Sequence, residues 1–321
     1  MVKMSNEKYL VIGGAGFIGS NFADFLLISG KSVIVLDNLI SGNKVFLEKN
    51  FSNKKFIFIE DDILNWRNHL NELNEIDTII HLASNADISA ASIDPTLDFR
   101  RGTILTQEVA ELSRIIGVKK ILYASGSGVY GDHKKEILIE GITELLPNSP
   151  YGASKLSGEA ILSSYSQMFG IKVACFRFAN VVGPNQTHGV GFDFLNKLKS
   201  NSTILHILGD GKQSKSYIHV SEVIEAVLFV SDTIKEDFFV TNICNGDRID
   251  VIEIAKIAIE TVGLSDSKTQ ITFSGGDKGW SGDVPIVNLS AEKLAKRGWK
   301  SKIGSKKAMQ MSLESLWEQI S

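Results

Sequence analysis

The amino-acid sequence predicts an α/β protein built on a doubly wound parallel sheet, with a smaller C-terminal lobe. Three observations lead to this fold class. Nearly continuous apolar, β-branched segments recur through the first 180 residues, helical patterns lie between them, and the alternation ends near residue 180. Strands of a parallel sheet are buried on both faces, so they appear as continuous apolar runs. Ligands of such folds bind at the carboxyl ends of the strands.

The first half of the chain supplies the strands and helices of the predicted sheet. The segments with the strand pattern are KYLVIGG, KSVIVLD, KFIFIEDD, IDTIIHLA, KKILYAS and KVACFRFAN. Between them, FIGSNFADFLLISG and TILTQEVAELSRIIG have the helical pattern and end in Gly30 and Gly117. Glycine just past a helix suits the left-handed cap conformation.

After Asn180 the pattern becomes less regular. Amphipathic helices are predicted for VSEVIEAVLFVSDTI, DVIEIAKIAIETVG and KKAMQMSLESLWEQI, with the strand candidates TILHIL, FFVTNIC and QITFSG between them. This part is too small and irregular for an independent sheet. We therefore predict a Rossmann domain over residues 1–180 and a mainly substrate-binding lobe over residues 181–321, with some of the chain returning to the first domain.

The composition limits the classes of protein to which the chain can belong. Hydrophobic residues make up 43% of its 321 residues, which indicates a globular protein, and the net charge of −3 disfavours a nucleic-acid binder. The N-terminus MVKMSNEK lacks a signal-peptide pattern, and no apolar run reaches membrane-spanning length. Cys175 and Cys244 lie in apolar runs and are predicted to be buried thiols in a reducing compartment. We expect a cytoplasmic protein without nucleic-acid or membrane partners.

The segment YLVIGGAGFIGSNF predicts a dinucleotide site. It places Gly13, Gly16 and Gly19 between a strand and a helix, where glycines allow a tight turn and close approach to a pyrophosphate. The second strand ends at Asp37, whose carboxylate can accept both ribose hydroxyls of adenosine and would repel a 2′-phosphate. NAD is therefore favoured over NADP. Asp62, after the third strand, is either near the adenine or a helix cap.

The segment SPYGASKLSGEAILSSYSQMFG predicts a helix that begins near Ser149 and carries a reactive pair. Tyr151 and Lys155 are four residues apart and therefore share a helix face. A lysine ammonium beside a phenol favours the phenolate, which makes Tyr151 a candidate general base near neutral pH.

Several motifs together resemble a known family. The segments GGAGFIGS, DNLISG, HLAS, VYGD, SPYGASK, RFANVVGP and GDGKQSKSYIHV, followed by GDV and RGWK, occur in the order found in extended short-chain dehydrogenases/reductases of the NAD-dependent epimerase/dehydratase family. The resemblance spans almost the whole chain. Within the family it is nearest to UDP-galactose 4-epimerases. It implies NAD as cofactor, a nucleotide-diphosphate sugar as substrate and a homodimer as the assembly.

The resemblance also implies roles for individual residues. It makes Tyr151 the base and assigns Lys155 to the nicotinamide ribose. Around the rest of the cofactor, the resemblance implies Phe17 and Ile18 at the pyrophosphate turn and Asp37, Asn38, Asp62 and Ile63 at adenosine. It also implies that Leu82, Ala83 and Ser84 run beneath the cofactor. On the substrate side, Asn180 matches an asparagine that contacts the diphosphate. Lys215 and the pair Lys278 and Trp280 stand where the family often has arginines.

The chain departs from the family pattern near the predicted reaction centre. Gly126, in YASGSGVYG, occupies the usual catalytic serine or threonine position, and Gly102 occupies the usual asparagine position. HLASNAD replaces a more alanine-rich turn. Ser125 and Ser127 flank Gly126, and we take both, with Gly126, as substrate-site candidates and Ser127 as the preferred catalytic hydroxyl. The alternative is that both serines are loop hydroxyls that bond the backbone.

These features predict an enzyme that oxidises and reduces C4 of a nucleotide-diphosphate sugar, most simply as a UDP-hexose 4-epimerase. The alternative is a net C4 dehydrogenase that releases a 4-keto product from a UDP- or GDP-linked hexose or heptose. A dehydratase is disfavoured because GSG supplies no carboxylate. A non-catalytic NAD-binding regulator is disfavoured by the intact Tyr151 and Lys155 pair. The sequence does not identify the nucleotide base or the sugar.

Overall fold

The computed structural model describes residues 7–85, 87–133, 136–265, 268–276 and 287–321. The chain forms two compact units. The first unit consists of Met1–Val129, Pro150–Arg177 and Val227–Thr241, and the second of Tyr130–Ser149, Phe178–Ala226 and Asn242–Ser321. The chain thus passes from the first unit to the second after Val129, Arg177 and Thr241, whereas the sequence predicted one boundary at residue 180. Residues 130–149 belong to the second unit, and residues 227–241 return to the first.

The elements have the following bounds. The strands are β1 Lys8–Ile12, β2 Ser32–Asp37, β3 Phe56–Glu60, β4 Thr78–His81, β5 Lys120–Gly126, β6 Lys172–Phe178, β7 Asn180–Val182, β8 Ile204–Ile207, β9 Ser214–Lys215, β10 Tyr217–His219, β11 Phe238–Ile243, β12 Ile249–Asp250 and β13 Gln270–Phe273. The α-helices are α1 Phe17–Ile28, α2 Leu105–Ile116, α3 Pro150–Phe169, α4 Val190–Ser200, α5 Val220–Thr233, α6 Val251–Thr261, α7 Glu292–Lys296 and α8 Ser305–Ile320.

A seven-stranded sheet forms the centre of the first unit, in the order β11-β6-β5-β4-β1-β2-β3. Neighbouring strands from β5 to β3 are parallel. All six strands predicted before residue 180 are present, and the predicted doubly wound α/β fold is confirmed. The strand order reverses between β1 and β4, and ligands of such sheets bind at this switch point. Segments that follow β1 and β4 are therefore expected to border the ligand.

Helices cover the sheet with apolar side chains. Val109 and Leu112 of α2 share a buried cluster with Ile34 and Ile79 of the sheet. Leu162 of α3 lies in a second cluster with side chains of β5 and β6. Helix α2 ends at Gly117, which has the predicted left-handed conformation with a φ of 73°. The apolar stripes that predicted these helices are therefore the surfaces that they bury.

The second unit contains short two-stranded ladders and a helical core. Strand β7 pairs with β10 and β8 with β13, both in parallel, while β9 and β12 are antiparallel. Leu195 of α4, Ile254 of α6 and Leu313 of α8 meet in one buried cluster. Helices α6 and α8 match the sequence prediction, whereas α4 has no counterpart in it.

Two sequence expectations about the environment of the chain can be compared with the described residues. Cys175 and Cys244 are both free and buried. Among the helices that the structure describes, none is both long enough and apolar enough to cross a membrane.

Candidate active site

The glycine turn, residues 13–19, connects β1 to α1. Gly13 has a φ of +79°, and a Cβ added there would lie 2.6 Å from the backbone nitrogen of Ala83. A Cβ on Gly19 would lie 2.3 Å from the carbonyl oxygen of Gly13. Backbone atoms cannot move aside cheaply, so packing within the protein requires glycine at both positions.

Gly16 is a different case. Its backbone is extended, with φ −78° and ψ 179°, which any residue can adopt. A Cβ there would meet only the Gly13 oxygen, at 3.4 Å. Gly16 precedes the first turn of α1, where Phe17 and Ile18 are half-buried and backbone N–H groups lack intrahelical partners. A smooth backbone surface at a helix N-terminus fits an approaching pyrophosphate.

Asp37 lies buried at the end of β2. Its Oδ2 accepts a hydrogen bond from the Ala15 N–H at 2.9 Å, and its Oδ1 accepts one from Leu39 at 2.8 Å. Burial raises the pKa of this carboxyl, and the two backbone bonds oppose that rise. Each oxygen has further acceptor capacity, so the carboxylate can still receive ribose hydroxyls.

Asn38, Asp62 and Ile63 form the next part of the predicted adenosine site. Asp62 Oδ1 accepts from the Leu64 N–H at 2.9 Å and so caps a short 3₁₀ helix over Ile63–His69. Its Oδ2 accepts from Asn38 Nδ2 at 2.7 Å. The helix-cap alternative for Asp62 is therefore present in the structure. The Ile63 side chain is buried in the core, which leaves only its backbone to face a ligand.

The segment Leu82–Ser84 follows β4 on the other side of the switch point. The N–H groups of Leu82 and Ala83 both donate to the Ile12 carbonyl, at 2.9 and 3.0 Å. These bonds hold the segment against Gly13. The sequence placed it beneath the cofactor, and the structure brings it beside the glycine turn.

Lys155 lies on the first turns of α3 and is buried. Its Nζ donates to the Ala124 carbonyl oxygen at 2.8 Å and lies 5.5 Å from the centroid of the Tyr151 ring. Burial lowers the pKa of Lys155 to about 8, and the negative charge of Asp98 opposes that shift. The ammonium form therefore still predominates at pH 7.

Tyr151 is half-buried at the start of the same helix. Burial raises the pKa of its phenol to about 12, Asp98 adds to the rise, and a hydrogen bond with the Ser84 side chain opposes it. The sequence predicted that Lys155 lowers the pKa of Tyr151 toward neutral pH. For the protein alone this prediction is wrong, because the pKa is raised. Ser84 is the side chain that favours the phenolate.

The serines that flank Gly126 are placed differently. Ser125 is buried, and its Oγ donates to Glu159 Oε1 at 2.6 Å. Glu159 in turn pairs with Arg177 at 2.7 Å. Ser125 thus belongs to a buried polar network. Ser127 is half-buried at the first position of a short 3₁₀ turn, Ser127–Val129.

The two glycines that depart from the family pattern differ in the space around them. A Cβ on Gly126 would have Tyr151 Cε1 as its nearest neighbour, at 4.0 Å, so space for a side chain exists beside the phenol ring. A Cβ on Gly102 would lie 2.6 Å from Ser154 Oγ. Gly102 belongs to a π-helical turn, Phe99–Ile104, that contacts α3. Close packing of that turn on α3 therefore accounts for Gly102.

Sequence reasoning missed Asn85 and Asp98. Asp98 is buried, and its Oδ1 accepts from Asn85 Nδ2 at 3.0 Å. Its Oδ2 has no hydrogen-bond partner among the described residues. Burial raises the pKa of Asp98, while Asn85 and Lys155 lower it. The unusual turn HLASNAD was the available signal for Ser84 and Asn85, whereas no local pattern pointed to Asp98.

The second unit carries the remaining substrate candidates that the structure describes. Asn180 is exposed at the start of β7, and its Nδ2 donates to the Ser216 carbonyl at 3.3 Å. Ser216 follows Lys215, which is half-buried in β9. The structure thus bonds Asn180 to the residue that follows Lys215, although the two residues lie in strands that pair with different partners, β7 with β10 and β9 with β12. Lys278 and Trp280 lie outside the described residues.

The chain is similar to known proteins over most of its length. The family described as NAD dependent epimerase/dehydratase matches residues 9–244. A UDP-glucose 4-epimerase of Mycolicibacterium smegmatis is 34% identical over 68% of this chain and 71% of its own. The structure of Thermotoga maritima UDP-glucose 4-epimerase with UDP-glucose is 30% identical, with a TM-score of 0.86, over 98% of this chain and 100% of that one. The Thermus thermophilus UDP-glucose 4-epimerase complex with NAD is 27% identical over the same shares, with a TM-score of 0.85.

Proposed function

The chain belongs to the NAD-dependent epimerase/dehydratase family, and from this premise we propose that it is a UDP-hexose 4-epimerase. The observation that carries the proposal is the position of Tyr151 and Lys155 on α3, in the same unit as a glycine turn at the switch point of the sheet. The similarity to UDP-glucose 4-epimerases over nearly the full chain supports the reaction and the uridine nucleotide.

NAD is the cofactor for which the family is named, and the residues of the glycine turn fit it. The bare backbone at Gly16 and the N-terminus of α1 would receive the pyrophosphate, and Asp37 would receive the adenosine ribose. Asn38, Asp62 and the backbone of Ile63 would border the adenine. Leu82, Ala83 and Ser84 would lie under the nicotinamide end, where Lys155 would hold the ribose. NAD held there would supply reversible hydride transfer at C4 of the sugar.

Tyr151 would move the proton in both half-reactions. In the first, the phenolate takes the proton of the C4 hydroxyl as the C4–H bond breaks, which leaves a 4-keto sugar. In the second, Tyr151 returns the proton to the C4 oxygen after the sugar has turned its other face to the cofactor. The buried Nζ of Lys155 lies 5.5 Å from the centroid of the Tyr151 ring, so the residue that would hold the nicotinamide ribose stands next to the proposed base. The oxidation and the reduction cancel, so the net reaction consumes no NAD.

We further propose that the first unit binds NAD and that the second unit binds the nucleotide-diphosphate sugar. Asn180 and Lys215 support this division because an amide and an ammonium are groups that bind diphosphate oxygens, and Asn180 is bonded to the residue that follows Lys215. Lys215 can act there as a point charge, although it lacks the paired donors of arginine.

A C4 assay distinguishes the epimerase from the net dehydrogenase. The purified protein is incubated with UDP-glucose, UDP-galactose and GDP-hexoses, and C4 is followed by NMR. Interconversion of C4 epimers without added NAD and without net NADH is expected. Accumulation of a 4-keto sugar with stoichiometric NADH would replace the proposal with the dehydrogenase. Cofactor binding without conversion of any sugar would favour the regulator.

The assembly and the location are part of the same proposal. A homodimer is supported by exposed apolar side chains at the ends of two helices, Ile115 of α2 and Met168 and Phe169 of α3. The mass in solution tests it, and a monomer at assay concentration would contradict it. The cytoplasmic location is supported by the two free, buried cysteines, because a reducing compartment keeps cysteines as thiols.

A further inference from the structure

We propose that Ser125 and Glu159 are positioning residues for the proposed base. Their hydrogen bond holds α3 on the end of β5 in the register that places Lys155 and, with it, Tyr151. The inference rests on the proposed function because it takes Tyr151 as the base and Lys155 as the residue that holds the nicotinamide ribose. It gives Ser125 a role that is exerted through α3, whereas the sequence placed this serine at the substrate.

The first support is the direction of the Ser125 hydroxyl. Its Oγ donates to Glu159 Oε1 at 2.6 Å, and the residue is only 3% exposed. A serine hydroxyl has one proton to donate, so this bond uses the only donor that Ser125 could offer to a substrate or to the phenol. The serine is therefore bonded to α3, the helix that carries Glu159.

The second support is the way in which Glu159 is held. Arg177, near the end of β6, donates from Nε to Oε1 at 2.9 Å and from Nη2 to Oε2 at 2.7 Å. Both side chains are buried. Two parallel bonds fix the orientation of a carboxylate as well as its position. The carboxylate of Glu159 therefore ties α3 to the ends of β5 and β6, which are neighbouring strands of the sheet.

The third support is that this link lies directly beside Lys155. The Nζ of Lys155 donates to the carbonyl oxygen of Ala124 at 2.8 Å, and Ala124 immediately precedes Ser125. Glu159 is four residues after Lys155, so the two side chains share one face of α3. Two adjacent residues of β5 thus bond two successive turns of the helix. A shift of α3 along β5 cannot change one bond without changing the other.

Close packing between the same two elements makes the link possible. A Cβ added at Gly158 would lie 2.3 Å from the hydroxyl oxygen of Tyr123, a buried side chain of β5. Glycine at this position lets the helix approach the strand closely. The short side chain of Ser125 then reaches Glu159, on the turn that contains Gly158.

The test compares Ser125→Ala with Ser166→Ala in the NAD-bound enzyme. Ser166 is the matched control because it lies on the same helix, is buried and donates to the Asp237 carbonyl at 2.8 Å. The rate at which UDP-glucose reduces bound NAD in a single turnover should fall about 10- to 100-fold in Ser125→Ala, since a misplacement of about 1 Å can cost about 100-fold. The same rate in Ser166→Ala, and the KM for UDP-glucose in both variants, should stay within about threefold of the parent.

Backbone hydrogen exchange reports the attachment of α3 without any sugar. Exchange of the amides of residues 155–159, followed by mass spectrometry, should become about tenfold faster or more in Ser125→Ala, the usual effect of a lost hydrogen bond to a charged group. In Ser166→Ala, faster exchange should be confined to the end of α3. If the parent converts no UDP-sugar and Ser125→Ala still shows the faster exchange, the proposed function fails and the role of Ser125 in placing α3 stands.

Three results overturn the inference. A Ser125→Ala rate near that of the parent would show that the bond is not needed for the reaction. Equal losses in Ser125→Ala and Ser166→Ala would assign the loss to a general loosening of α3. A slower rate without faster exchange at residues 155–159 would mean that Ser125 acts on the substrate directly. If Ser125→Ala does not fold, Ser125→Cys, which keeps the volume and donates only weakly, takes its place with the same expected results.

Discussion

The glycine turn and the tyrosine pocket border the same sheet, but main-chain atoms form the first and side chains form the second. The turn is made of backbone, and its glycines are set by contacts between main-chain atoms, as at Gly13 and Gly19. The tyrosine pocket, consisting of Ser84, Asp98, Tyr151 and Lys155, is made of ionisable and polar side chains that are buried or half-buried. A turn of backbone fails when a Cβ is added, whereas a pocket of charges fails when one group is neutralised or removed. Each region should therefore respond to a different kind of change.

The largest expected effect is in the tyrosine pocket. Tyr151→Phe removes the hydroxyl that carries the proton and should reduce turnover by about 10²–10⁴, the usual contribution of a positioned acid or base. NAD affinity should not change because the glycine turn is untouched. Steady-state rates with UDP-glucose and a cofactor titration measure the two quantities. Turnover within about threefold of the parent would mean that the chemistry lies elsewhere.

The second effect is on stability and depends on pH. His81 is fully buried, and its pKa is lowered from 6.5 to about 3 by burial and by the charge of Lys155. The unfolded chain therefore takes up this proton near pH 6.5, and the folded protein only near pH 3. The free energy of unfolding should fall by about 1.4 kcal/mol per pH unit as the pH drops through that window.

Denaturant titrations of the parent and His81→Gln between pH 7 and pH 4 test this expectation. The variant cannot take up the proton, so its stability should change less steeply with pH. Equal slopes would show that the acid sensitivity comes from other groups. The glycine turn should contribute with the opposite sign, because burial raises the pKa of Asp37 and its share of the stability grows as the pH falls.

The same contrast explains how much the sequence could predict. The strands, α1, α2 and α3 followed from apolar periodicity and glycine caps, which are local properties. The pairing of β11 with β6 joins residues about sixty positions apart, and nothing in FFVTNIC indicates that partner. Helix α4 was missed because its sequence, VGFDFLNKLKS, contains a glycine and follows another.

In the active site, the glycine turn was predicted because its requirements lie within one strand–turn–helix unit. The influence of Ser84 on the pKa of Tyr151 was not predicted, because Ser84 follows a strand that lies nearly seventy residues earlier in the chain. Position relative to a motif favoured Ser127, and that assignment stays a prediction. Asp98 had no signal at all, since burial of a carboxylate depends on what packs over it.

The third effect separates two glycines within the turn. Gly19→Ala puts a Cβ within 2.3 Å of backbone and should lower the free energy of unfolding by about 1–3 kcal/mol or more. Gly16→Ala meets only an ordinary contact and should cost less than about 1 kcal/mol. It should nevertheless weaken NAD binding about 10- to 100-fold, because the added methyl group keeps the pyrophosphate from the helix N-terminus. Thermal unfolding and cofactor titration measure the two effects, and unchanged NAD affinity in Gly16→Ala would remove that residue from the cofactor site.

The smallest effect concerns the choice between NAD and NADP, and it depends on the one carboxylate that ends β2. Asp37→Asn removes the negative charge while keeping an acceptor for the Ala15 N–H. NAD affinity should fall about tenfold through the loss of a charged hydrogen bond, and the preference over NADP should narrow because the repulsion of a 2′-phosphate is gone. Asp62→Asn is the matched control, since it removes the same charge from the neighbouring cap and leaves the acceptor for Leu64 in place. An equal narrowing in both variants would assign the preference to net charge in the region. Tighter binding of NADP than of NAD by the parent would overturn the assignment of Asp37, because a buried carboxylate at the ribose cannot favour a phosphate beside it.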